Sequence, residues 1–505
     1  AGDEYVSLTP FQLEISDDAY LGDHPMLLHI ISNGGEYVFD FDISINVSLF
    51  QAGFPYDTFD QIKTNPLIVD IDNDYSNEII FSDNMGFVHV INDDGTLYSD
   101  AFPFEVGDGV WGSIASEDID LDGDIEFIVT SKTKYIYIFD KDGLESTYFT
   151  DSYLLGTPVI GQLDSDEYYE IVVGSFTPSS SNENKLFVIN HDMSDLDGFP
   201  LIIGEKMRSG VALYDFNNNG YDDIVFGTES NNLHLILDSG VTADGFPVNF
   251  PDKIQVEPSI LINGDDKFIF VGSKDNNLYS LSDVGEILFS VETDGDICTS
   301  PSFLNGEMGL MIFFASEDEH LYAVNSNGLS YSGWPVNING DAIGSIVFGD
   351  INGDGLDEVI TSVNSNILIF NQDGSEFIYS SILHELPLSS APTIVDLNQD
   401  GNMEVLVGTG TDLSSVDFKF ESNQTPLWGM HRGNNIRTGV FLTFGSTEVG
   451  DINEDNQIDI LDVIMVVNFA LGDSEPSLNE FSLSDINFDG QIDILDVILI
   501  VNLIL

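Results

Sequence analysis

The chain is 505 residues long and carries 87 Asp and Glu against 13 Lys and Arg, a formal charge of −74. That excess excludes nucleic acid and anionic membrane surfaces as partners, because both repel a polyanion. A single cysteine, Cys298, excludes an internal disulfide, and the apolar runs fall short of the ~20 residues that a membrane-spanning helix needs.

Residues 1–50 alternate apolar and polar positions in YVSLTPFQLEIS, MLLHIIS and YVFDFDISINVSLF, with a turn signal at Asn33-Gly34-Gly35. Alternation of period two predicts strands. Three or four of them make a partial Ig-like sheet, to be completed by a neighbouring edge or by another molecule. No signal peptide opens the chain at Ala1, as in a mature protein or a segment of a longer precursor.

Residues 51–441 repeat one unit: an apolar strand, an acidic loop, a second strand, a third ending in a turn, and an irregular fourth. The fourth carries a Gly-aromatic-Pro signal, as in AGFP at Ala52, DGFP at Asp197 and Asp244, and SGWP at Ser332. The acidic loops start at residues 70, 118, 162, 215, 350 and 396, and units near Asn263 and Asn305 keep the strands without the acids. Four short strands per unit of about 45 residues is the arithmetic of a β-propeller blade. The fold expected is mainly β, an eight-bladed or alternatively seven-bladed propeller. Its two ends, AGFPYDTF (52–59) and LWGMHRGNNIRTGVF (427–441), are expected to meet in one composite blade.

Each acidic loop sets oxygen side chains at its first, third, fifth and ninth positions, a pattern suited to Ca²⁺, which takes six to eight oxygen ligands. The candidate ligands are Asp70, Asp72, Asp74 and Glu78; Asp118, Asp120, Asp122 and Glu126; and Asp164, Asp166 and Glu170, where Gln162 replaces the first acid. They continue with Asp215, Asn217, Asn219 and Asp223; Asp350, Asn352, Asp354 and Glu358; and Asp396, Asn398, Asp400 and Glu404. A site repeated in six blades reads as a staple between two strands and not as a catalytic centre. Such loops fill reliably where free calcium is high, which places the chain outside the cell or on its surface. These DxDxDGxxE loops between strands resemble FG-GAP/VCBS-type propeller repeats, and the resemblance implies calcium-binding blades.

After a linker at 442–449, residues 450–505 hold two copies of a calcium loop followed by an apolar helix. Position for position, the first loop offers Asp451, Asn453, Asp455, the carbonyl of Gln457, Asp459 and Asp462, and the second Asp485, Asn487, Asp489, the carbonyl of Gln491, Asp493 and Asp496. No helix leads into either loop. The duplicated unit resembles a type I dockerin, a module that plugs into cohesin domains of extracellular assemblies. That resemblance implies two further calcium ions, beside about six in the propeller, and a cohesin-like or sister-subunit partner. It puts partner choice on Ile460, Leu461, Ile494 and Leu495, apolar where cellulosomal dockerins carry hydroxyls. Helices apolar nearly all round call for burial on more than one side.

No nucleophile or metalloprotease motif is present, so the chain reads as non-catalytic. His89 and His234 share a strand position with Tyr137, Tyr279 and Tyr322, which marks a packing slot. Trp111, Trp334 and Trp428 read as packing residues between blades, with sugar stacking as the alternative. The function expected is a secreted adhesion or structural module joined into an extracellular assembly, even a filament, through its two ends. The alternatives are a dockerin-bearing carbohydrate-active enzyme or glycan-binding lectin, in which calcium would neutralise an acidic sugar, and the non-catalytic part of a longer secreted precursor.

Overall fold

The computed structural model describes residues 22–32, 37–47, 49–178, 183–264, 266–377, 380, 382–422 and 426–443, then 460–471 and 494–504 with a few loop residues around them. Two compact units result, Ala1–Gln51 and Ala52–Leu505.

In the first unit β1 (Gly22–Ser32) pairs antiparallel with β2 (Tyr37–Val47), in register from Gly22 opposite Val47 to Ser32 opposite Tyr37. The stretch expected as an earlier strand, residues 5–16, lies outside the described residues. Leu27, Ile31, Phe39 and Phe41 are all exposed on this ribbon.

The second unit is an eight-bladed propeller, which settles the blade count. Blade 1 runs from β4 (Leu67–Val69) through β5 (Glu78–Ser82) and β6 (Phe87–Asn92) to β7 (Phe104–Glu105). The next six follow in chain order: β8 (Ala115–Glu117) to β11 (Gly143–Phe149), β12 (Val159–Gly161) to β15 (Leu201–Ile202), and β16 (Ala212–Tyr214) to β19 (Val248–Asn249). Then come β20 (Ser259–Asn263) to β23 (Ile287–Glu292), β24 (Ser302–Gly306) to β27 (Val336–Asn337), and β28 (Ala342–Gly349) to β31 (Ile382–Leu383). Each second strand in an acidic-loop blade is buried at every residue in blades 1 to 4, as a short apolar run sandwiched between sheets should be. The core lies between blades: Phe313 of blade 6 meets Phe348 of blade 7 with centroids 5.0 Å apart, and Phe270 of blade 5 meets Phe303 of blade 6 edge-on at 5.5 Å.

Blade 8 takes β32 (Thr393–Val395), β33 (Asn402–Gly408) and β34 (Asp412–Glu421) from the end of the repeat and its outer strand, β3 (Tyr56–Asp57), from the beginning. The composite blade expected from AGFPYDTF is therefore present. Gly53 introduces it at φ +92°, where an added Cβ would fall 2.0 Å from the Asp94 carbonyl oxygen, so only glycine fits. The other half of that expectation needs correcting: LWGMHRGNNIRTGVF adds no strand to the blade 8 sheet. It instead winds along the inner strands. Its carbonyls at Trp428, Gly429, Asn435, Ile436, Thr438 and Gly439 accept hydrogen bonds from Phe348, Ile394, Ser116, Ile160, Leu213 and Ile260. Blades 7, 8, 2, 3, 4 and 5 are touched in turn. The segment ends as β35 (Val440–Thr443), a fifth strand parallel to β20 in blade 5, which takes up the first two residues of the expected linker. Inner strands at a propeller hub have an unpaired edge, and this segment supplies the missing partners.

In the C-terminal part, α1 (Ile460–Ala470) packs on α2 (Ile494–Ile504) around Val463, Val466, Leu483 and Ile500. No described helix is long and apolar enough to cross a membrane.

Candidate functional site

The acidic loops all join the first strand of a blade to the second and so ring one face of the propeller. Their geometry repeats. One oxygen of the ninth-position acid accepts the amide of the second residue: Ile71 to Glu78 at 3.0 Å, Ile119 to Glu126 at 2.9 Å, Leu163 to Glu170 at 2.6 Å, Phe216 to Asp223 at 2.9 Å, Ile351 to Glu358 at 3.1 Å, and Leu397 to Glu404 at 2.7 Å. The first-position acid accepts amides from positions five and six, as Asp70 does from Asp74 at 3.1 Å and Tyr75 at 2.8 Å. Such bonds fix the orientation of the carboxylates within the loop.

The carboxylates converge. Ligand atoms of Asp70, Asp72 and Glu78, of Asp118, Asp120 and Asp122, and of Asp164, Asp166 and Glu170 lie within 4.8 Å of one another. Asp72 Oδ1 and Glu170 Oε1 are buried without a hydrogen-bond partner. An unpaired buried carboxylate oxygen is costly, and burial, reinforced by the neighbouring acids, pushes the carboxyls of Glu78 and Glu170 up to about 7 and that of Glu126 to about 8. A hard divalent cation relieves all three penalties, so the donor sets of these loops fit calcium.

The remaining loops differ. In the eighth, Asp400 and Glu404 gather with Asp417 of β34, not with Asp396. Asp417 was missed in the sequence because it lies 13 residues past Glu404, and only the register of β33 against β34 sets the two opposite each other. At Asp350–Glu358 no such gathering of three acids occurs: Asn352 Nδ2 donates to Glu358 Oε1 at 2.6 Å, and Asp350 and Asp354 turn to loop amides. Glu358 is still pushed up to about 8 by burial. In the fourth loop both oxygens of Asp223 are taken, by Phe216 N at 2.9 Å and Asp238 N at 3.0 Å, and Asn219 donates to Asp238. Lys267 Nζ of the next blade lies against the loop's backbone, 2.8 Å from the Asp215 carbonyl and 2.7 Å from Asn218 Oδ1. No three acids gather in this loop among the described residues. Blades 5 and 6 replace the loop by tight hairpins, with Asn263 opposite Asp266 and Gly306 opposite Gly309.

The shared histidine-tyrosine position is a packing slot. His89 stacks on Phe81 at 4.9 Å, His234 on Phe226 at 4.9 Å and Tyr322 on Phe314 at 5.0 Å. Trp334 and Trp428 are buried.

On the C-terminal helices, Asp462 and Asp496 are fully buried, and Asp496 Oδ1 accepts the Ile486 amide at 2.8 Å. The other expected loop ligands, Asp451, Asn453, Asp455, Gln457, Asp459, Asp485, Asn487, Asp489, Gln491 and Asp493, lie outside the described residues. The helices bury one face against each other. Ile460, Leu461 and Ile464 on α1, and their counterparts Ile494, Leu495 and Ile498 on α2, are each at least half exposed.

Residues 449–505 match the family model of the dockerin type I domain, and residues 350–407 match that of the FG-GAP-like repeat. The resemblance seen in the sequence holds in both parts. Calcium binding follows from these two families; dockerin domains bind cohesins, and proteins that contain them are typically extracellular. No curated protein matches the chain. Among solved structures, the V. cholerae biofilm matrix protein Bap1 is similar at a TM-score of 0.56 and 13% identity, over 75% of this chain and 94% of that one. BamB from Moraxella catarrhalis is similar at a TM-score of 0.48 and 13% identity, over 72% of this chain and 99% of that one. At such identity the first likeness shows the propeller fold alone.

Proposed function

We propose that the chain is a non-catalytic structural subunit of an extracellular assembly, held there by a cohesin-type domain that covers α1 and α2. The observation that carries this reading is the duplicated apolar face, Ile460, Leu461 and Ile464 beside Ile494, Leu495 and Ile498, left outside a helix pair whose own core is already filled. A solvent-exposed apolar face of this kind is an interaction surface. Position 460 is followed by 464, and 494 by 498, so each set lines one side of its helix.

Calcium has a stapling role in this proposal. In the propeller it is held by Asp70, Asp72, Asp74 and Glu78, by Asp118, Asp120, Asp122 and Glu126, by Asp164, Asp166 and Glu170, and by Asp400 and Glu404. In the C-terminal loops Asp462 and Asp496 supply the last ligand of each. The β1–β2 ribbon supplies a second joint: two strands alone are marginal in water, and its outer edges are templates for a strand from another copy. An open chain of such contacts gives a filament.

Titration of the calcium-loaded chain with a panel of cohesin domains tests the docking. Binding that is lost with excess chelator and in the double variant I464D/I498D, with unchanged melting of the propeller, supports it. Retention of full affinity in that variant would sink it. Light scattering in calcium tests the second joint; a strictly monomeric chain at high concentration removes the filament.

A further inference from the structure

The residues that precede the inner strands, and the turns between second and third strands, lie on the propeller face opposite the acidic loops. Across blades 1 to 4 this face gathers Lys63, Lys132, Lys134, Lys206 and Arg208, five of the 13 Lys and Arg in a chain of charge −74. Four rest on aromatic rings. Lys132 Nζ is 3.6 Å and Lys63 Nζ 4.5 Å from the Trp111 centroid, Lys134 is 5.6 Å from Tyr153, and Lys206 is 5.3 Å from Phe176. Trp111 is itself held by Asn84 Oδ1, 2.9 Å from its Nε1. Gly109 leaves the room this needs, since a Cβ there would stand 3.3 Å from Lys132 Nζ.

Around these groups is a cavity of about 520 Å³, lined by Asp108, Trp111, Lys132, Tyr153, Phe176 and Arg208 among others. In a chain so rich in carboxylates, cations find acidic partners readily, and Lys134, Lys141, Lys274 and Lys419 have done so. Lys63, Lys132, Lys206 and Arg208 have no carboxylate within 4.0 Å among the described residues. Cations on rings are oriented without being neutralised, which keeps them available to an anion.

We propose that this cavity binds an acidic saccharide, a uronate-bearing segment of a polysaccharide, with its carboxylates on Lys132 and Arg208 and its ring faces on Tyr153 and Phe176. Several features select this occupant. The volume falls in the range of small-ligand sites and exceeds what a simple inorganic anion fills. Aromatic faces beside cations suit a ligand that is both ring-shaped and charged. Nucleic acid, with a charge at every phosphate, meets the repulsion of the whole chain. A glycan with one carboxylate per sugar meets less of it. The site also makes calcium unnecessary as the counterion for the sugar, contrary to the expectation drawn from composition.

Calorimetry of the full chain in calcium, with a linear tetragalacturonate as the probe, tests the assignment. The tetramer is expected to bind, its carboxyl-reduced counterpart to lose at least about tenfold in affinity, and K132Q and R208Q to weaken binding by about tenfold each. K253Q, on the same face away from the cavity, is expected to leave it unchanged. Y153A separates stacking from charge: it should weaken the tetramer while sparing the melting temperature. Failure of the tetramer to bind, equal binding of the reduced oligomer, full affinity in K132Q/R208Q, or tighter binding of a short single-stranded DNA would each overturn the proposal. None of these readouts involves α1 or α2.

Discussion

Arg432 Nη2 donates to the carbonyl of Val211 at 2.8 Å, across 221 positions of sequence. The same guanidinium also reaches the carbonyls of Pro258 and Thr438, while Arg437 reaches those of Ile114 and His431. Two buried arginines thus tie the exit segment to the inner strands of blades 2, 4 and 5 through backbone oxygens alone.

R432M should therefore destabilise the propeller by about 3–5 kcal/mol, because the carbonyls of Val211, Pro258, Arg437 and Thr438 each lose a donor in a place water does not reach. Urea denaturation of the calcium-loaded chain measures this through the midpoint, with the slope unchanged. A shift worth less than about 1 kcal/mol would mean that the arginines ride on a hub that closes without them.

Calcium loading should be unequal among loops. D118N is expected to remove one bound ion and about 2–3 kcal/mol of stability at saturating calcium, the linkage term for a filled site. D215N, in the loop where no three acids gather among the described residues, should leave the ion count unchanged. Equilibrium dialysis with calcium counts the ions directly, and a loss of one ion in both variants would contradict the distinction.

Acid should loosen the hub. Burial holds the His431 imidazole well below its ordinary value, opposed by Glu257 and aided by Arg437 and Arg432, and Ser345 Oγ lies 2.7 Å from its Nδ1. The unfolded chain takes up a proton below pH ~6.5 that the folded chain refuses, so this contribution is complete above that pH and declines as pH falls toward the folded value. The slope is at most about 1.4 kcal/mol per pH unit for the one proton. Burial disfavours the Glu257 carboxylate, but Arg432 and the Ser300 hydroxyl hold it below its usual range, so it adds a loss in the same direction at lower pH. Melting curves between pH 7 and 4.5 should flatten in H431Q; an identical profile would show that the acid sensitivity does not come from His431.

Ring closure depends on eight residues near the start of the second unit. A chain lacking residues 1–51 should keep its melting temperature, whereas one lacking 1–61 exposes the edge of β34 and should melt earlier and aggregate. Differential scanning of the two truncations decides this, and equal melting of both would show that β3 is dispensable.

Much of this was legible because repetition amplifies small signals. One DxDxDGxxE loop is weak, but six between apolar runs at near-constant spacing leave few other folds. The first half of ring closure could be read from AGFPYDTF, a fourth strand without a blade. LWGMHRGNNIRTGVF misled because His431, Arg432 and Arg437 look like surface residues in a string of letters. Their partners are backbone carbonyls, which no side-chain pattern reveals. Asp417 was hidden for a related reason, since its tie to Glu404 is a matter of strand register. The cluster of Lys63, Lys132, Lys134, Lys206 and Arg208 is scattered over the lead into blade 1, a turn of blade 2 and the lead into blade 4, and only closing the ring brings it to one face.

The exit segment also determines how the molecule carries load. Tension arriving from the C-terminal module enters at Thr443. It meets first the parallel pairing of β35 with β20, then the anchors at Arg437 and Arg432, and then the carbonyl bonds that pass through blades 5, 4, 3, 2, 8 and 7. A tether fastened to an outer strand would peel one blade from the rim. Here the pull is shared at the axle, so the wheel resists as a whole.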